Sequence, residues 1–74
     1  MTIKTLTHIH YLLKVDVASK EATFQTARNR WIDAEERNAP AQTVSDRRDE
    51  MDIAREICRA AQNALDDFES TNFS

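Results

Sequence analysis

Four sets of residues in this 74-residue chain could carry chemistry. They are the pair His8 and His10, the thiol of Cys58, the acidic run Asp66-Asp67-Phe68-Glu69, and the arginines Arg28, Arg30, Arg37, Arg47 and Arg48. Two imidazoles hold a metal when they converge. On a helix that takes a spacing of three or four, and two apart they splay; on a strand the same pair would share a face. A thiol becomes a nucleophile when a neighbouring base deprotonates it. In a helical hairpin Cys58 faces the region of position 20, about ten residues and so roughly 15 Å of helix rise from His10. No dyad is expected there, and Cys58 reads as a small buried hydrophobe. Carboxylates do acid–base work in a pocket that separates their pKa values, and the end of a helix in water offers none. The acidic run therefore reads as a solvated terminus.

The arginines, with Trp31 among them, could grip a phosphate backbone. However, Asp33, Glu35, Glu36, Asp46, Asp49 and Glu50 are interspersed with them. Local pairs at three and four residues account for that arrangement without a ligand. The chain also carries 10 basic against 13 acidic residues, a net charge of −3, where a duplex binder shows a basic surplus. Nucleic acid is thus not the expected principal partner, and the five arginines are an alternative contact set. Trp31 is expected to be a large core residue closing the loop end. With no nucleophile–base pair, metal set, phosphate loop or cofactor motif, the expectation is a protein that is not an enzyme and carries no cofactor.

The elements that position these residues follow from composition. The chain has no glycine and one proline. Tight turns lean on glycine, so sandwiches, barrels and hairpin stacks are excluded in favour of long helices. The one break is Asn38-Ala39-Pro40-Ala41. Asparagine tolerates the left-handed residue that ends a helix, and proline suits the first turn of the next. The expected plan is one domain: a helix over 5–37, a connector at 38–41, a helix over 42–69 and a frayed tail at 70–74. Thr43 with Asp46 resembles a capping box at the second start. Residues 9–17 also alternate with period two, which would suit a strand, but nothing else in the chain alternates to pair with it.

Each helix carries an apolar seam. On the first it runs Leu6, Ile9, Leu13, Val17, Lys20, Phe24, Ala27, Trp31 and Ala34, with a stutter at the two consecutive steps of four. On the second it runs Val44, Arg47, Met51, Ala54, Cys58, Ala61, Leu65 and Phe68, an unbroken heptad pattern. Helices joined by so short a connector lie antiparallel, so facing residue numbers sum to roughly 78. Val17 then meets Cys58 and Ala61, and Leu13 meets Leu65.

The seam leaves apolar residues over. Ile53, Ile57, Ala60 and Ala64 form a second edge on the second helix, and Leu12 and Val15 lie off the seam on the first. One partner helix cannot cover so broad an arc, and isolated hairpins of this size are marginal. The reading is an all-α, coiled-coil-like hairpin that dimerises through these six residues into a four-helix bundle. The opening Met1-Thr2-Ile3-Lys4 lacks an apolar run of signal-peptide length, and Lys14 breaks the stretch at Tyr11-Leu12-Leu13. A cytoplasmic protein with no targeting segment and no membrane span is expected.

The start Met1-Thr2-Ile3-Lys4-Thr5-Leu6, the chain length and the glycine-free two-helix plan around Asn38-Ala39-Pro40 resemble the small accessory proteins of temperate, lambdoid bacteriophages. These are encoded in short reading frames between the exonuclease and excisionase genes. The resemblance implies a dispensable early protein that shifts the lysis–lysogeny decision or host physiology, and it carries over no functional residue. A phage inhibitor of a host defence system is a related expectation. Residues and resemblance together point to a regulatory interaction module whose partners are itself and a host or phage protein.

Overall fold

The computed structural model describes residues 2–73. Among them there are two helices and no strand: α1, Ile3–Glu36, and α2, Ala41–Asn72. Residues 9–17 lie inside α1. A strand there would leave its backbone N–H and C=O groups without a ladder, whereas the helix satisfies them within the segment.

α1 begins earlier than expected because Thr2 caps it. The Thr2 hydroxyl accepts the Thr5 N–H at 3.2 Å, which satisfies one of the donors a helix start leaves free. At the other end Asn38 takes φ 54°. The Asn38 N–H donates to the Glu35 carbonyl at 3.1 Å and the Ala39 N–H to the Ala34 carbonyl at 3.0 Å. That paired pattern is a Schellman ending, with asparagine in the position glycine usually fills. Replacing Asn38 by Gly should leave the melting temperature unchanged or raised. Asn38→Val should cost about 1–2 kcal/mol, because a β-branched side chain clashes in the left-handed region. Thermal unfolding followed by circular dichroism checks both.

Two expected boundaries are corrected. Pro40 stands at the N-cap of α2 with no side-chain cap bond, so Thr43 lies inside the helix and no capping box forms. Asp46 instead accepts from Gln42 Nε2 at 2.8 Å, one turn back. At the far end, residues 70–72 are helical rather than frayed. The Asn72 side chain donates to the Phe68 carbonyl at 3.0 Å, and the Phe73 N–H to that of Glu69 at 2.8 Å. Ser74 lies outside the described residues.

The helices pack antiparallel along the expected seam, with every seam position buried or half-buried. The core is Val17, Ala34, Met51, Ala54, Ala61 and Leu65. Val17, Ala61 and Leu65 form one cluster with Leu13 against it, the register that an antiparallel hairpin centred on its connector requires. Large and small residues alternate along the seam, yet among the described residues no large side chain is fully enclosed. The molecule measures 54 × 15 × 14 Å with a radius of gyration of 16.7 Å. A compact chain of this length would have about 11 Å. Its accessible surface is 5508 Å², about 850 Å² more than the roughly 4,650 Å² expected of a compact monomer of this mass.

Candidate functional site

Part of the exposed apolar surface gathers on one side of the hairpin. Steps of four, three and four put Ile53, Ile57, Ala60 and Ala64 on one strip of α2, and all four are exposed. Ile53 keeps 62% and Ile57 47% of its surface in water. Beside the two isoleucines runs an open groove of about 500 Å³, whose α1 wall is made by Lys20, Thr23, Thr26, Ala27 and Arg30. The Thr23 and Thr26 hydroxyls donate to the carbonyls of Ser19 and Ala22, at 3.2 and 3.1 Å. Their polar hydrogens are already satisfied, so the threonines can be covered at little cost. Leu12 and Val15, 51% and 47% exposed, lie three helical turns before Thr23 and Thr26. They continue the same strip of α1 towards the open end of the hairpin.

The arginines do not form one patch. Arg30, Arg37 and Arg47 line a second open groove of about 450 Å³ at the loop end, together with Asp33 and Thr43. Arg28 and Arg48 are not part of its lining. Arg37 Nε lies 3.0 Å from Asp33 Oδ1, and Arg47 Nη1 lies 3.0 Å from Glu50 Oε1. These are exposed pairs within one helix, each worth about 0.3–0.5 kcal/mol.

The histidines separate as the helical spacing requires. His8 is exposed, and His10 turns towards α2. His10 Nε2 lies 2.8 Å from Glu69 Oε2, joining the two helices at the open end. The imidazole also stacks on Phe68, at 5.9 Å between centroids, and lies 4.9 Å from Phe73. The acidic run lies mostly in water, as expected: Asp66 and Asp67 are exposed, with Asp66 accepting from Gln62 Nε2, and only the half-buried Glu69 is drawn into the contact with His10. The hairpin register already sets position 10 opposite Phe68, and that was the signal for this cluster. Cys58 is half-buried rather than enclosed. It borders a third, smaller groove with Phe24, over which the Arg55 guanidinium sits at 5.6 Å, a cation–π contact that spacing alone did not suggest. Among the described residues no three His, Cys, Asp or Glu side chains gather in a way that could hold a metal, and no helix is long and apolar enough to cross a membrane.

No protein-family model, curated protein or solved structure matches this chain. The isoleucine face is an exposed apolar feature that the packing of the hairpin leaves without a use.

Trp31 stands at the loop end, half-buried, with its Nε1 enclosed and without a hydrogen-bond partner among the described residues. Native emission should be blue-shifted relative to free indole and should move red on denaturation. Trp31→Ala should cost about 3 kcal/mol. Water-like emission from the folded protein would contradict the placement.

Proposed function

We propose that the protein is a small non-enzymatic interaction module that pairs into a homodimeric four-helix bundle and acts by docking on a partner protein. The observation that carries this reading is the strip of Ile53, Ile57, Ala60 and Ala64, which lies exposed on a hairpin with too little core of its own. Burying one isoleucine side chain contributes about 1.5–3 kcal/mol. That is a large share of the stability of so small a domain. Pairing supplies it twice. The resemblance to accessory proteins of temperate phage supports a regulator of host or phage development, with its target in the bacterial cytoplasm.

A second reading is favoured by Arg28, Arg30 and Arg48, none of which has a carboxylate within 4.0 Å among the described residues. In it the loop end contacts nucleic acid. An immobilised full chain in bacterial lysate separates the two. Protein docking expects a retained protein that survives nuclease treatment and rebinds, once purified, at fixed stoichiometry. Retention of nucleic acid alone, released by moderate salt or nuclease, would replace the first reading with the second.

A further inference from the structure

We propose that the second copy lies antiparallel on the isoleucine face, with the two-fold axis crossing α2 between Ile57 and Ala60. This rests on the homodimer reading above and adds its geometry.

Two closed arrangements lay this face on itself. If the axis runs along the hairpin, each α2 lies on α1 of the other copy at the same level. The hairpin register then brings Ile53 and Ile57 over positions 25 and 21 of α1, where the groove wall consists of Ala27, Thr26, Thr23 and Lys20. Ile53 would then meet the threonines instead of a small residue, and Ile57 would press the Lys20 ammonium towards hydrocarbon. If the axis runs across the hairpin, α2 lies antiparallel on α2. Ile53 then meets Ala64 of the second copy and Ile57 meets its Ala60. Large residues face small ones along the whole strip, as close packing of two helices requires.

The same axis orders α1. Leu12 comes over Ala27 of the second copy, and Thr23, whose hydroxyl is already satisfied, comes beside its Asp16. Lys20 Nζ lies 3.6 Å from Asp16 Oδ1 within one chain. Near the axis Lys20 falls beside Lys20 of the second copy, and each ammonium is held by the Asp16 of its own chain. Arg30, with no carboxylate within 4.0 Å among the described residues, reaches the level of Glu69 of the second copy. A face as long and wide as this hairpin, 54 by 15 Å, spans about 800 Å² per copy, the size of a standard stable interface.

Distances between spin labels test the orientation. The full chain carries one label at Glu36→Cys, on the outer face near the loop, in a Cys58→Ala background checked for helicity. The antiparallel dimer predicts a separation of about 50 Å between the two labels, and the parallel one less than about 25 Å. Mixing chains labelled at Glu36→Cys with chains labelled at Thr7→Cys should reverse the pattern, giving a short distance. A label-free swap gives an independent reading. Ile53→Ala should weaken dimerisation at least about tenfold. Adding Ala64→Ile to the same chain should restore it to within about threefold, because each new isoleucine meets the vacated position on the other copy. Short loop-to-loop distances, or no restoration by the swap, would overturn the antiparallel geometry while leaving the dimer standing. A monomeric mass without dipolar coupling would overturn the dimer as well.

Discussion

Ile57→Asp is expected to abolish dimerisation and lower the thermal stability of the protein at about 10 µM by at least about 3 kcal/mol per dimer. The expectation depends on what covers the site. In the hairpin alone Ile57 is 47% exposed. An aspartate there would remain in water and cost little more than its helix propensity, about 0.5 kcal/mol. In the dimer the same substitution removes two buried isoleucines and places two carboxylates in an apolar contact. Tyr11→Asp is the matched control. Tyr11 is 61% exposed and lies on the outward side of α1, so its replacement should change stability by no more than about 0.5 kcal/mol. Melts of both variants and the wild-type chain at several concentrations read the difference.

Leu65→Ala acts on the hairpin itself. Leu65 is 8% exposed and packs with Val17 and Ala61, with Leu13 against them. Truncating a buried leucine costs about 2–5 kcal/mol, depending on how far the site collapses. A chain of this length has a total stability of roughly 4–11 kcal/mol, so the variant should lose a large part of its cooperative unfolding transition. The two substitutions should also differ in kind. Leu65→Ala weakens the fold at every protein concentration. Ile57→Asp lowers the melting temperature to a value that no longer depends on concentration, because mass action has ceased to contribute. Equal, concentration-independent losses for both would mean that Ile57 acts within the single hairpin.

The seam was legible because it is the one feature both helices repeat over their whole length. Even Lys20 and Arg47, charged residues at seam positions, are half-buried there and reach out to Asp16 and Glu50. Asn38 was legible because few residues other than glycine take a positive φ. The helix ends were less so. Thr2 precedes any periodic apolar residue, and Asn72 extends α2 through a side-chain bond to the Phe68 carbonyl that no periodicity announces. The cluster of His10, Phe68, Glu69 and Phe73 joins residues some sixty positions apart. It emerges only when the hairpin register is carried to the open end and His10 is read as a packing group rather than a ligand. The arginines show the opposite failure. Five of them gather in the sequence, but helical rotation lines the loop-end groove with Arg30, Arg37 and Arg47 and not with Arg28 or Arg48. The isoleucine strip is plain in sequence and structure alike, while neither helix names what covers it.

Sedimentation equilibrium of the unmodified chain at tens of micromolar, with thermal melts over a hundredfold range of concentration, tests the account at its centre. The predicted result is a particle of twice the 8.5 kDa chain mass whose melting temperature rises with concentration. A folded particle of 8.5 kDa with a concentration-independent melt would contradict it.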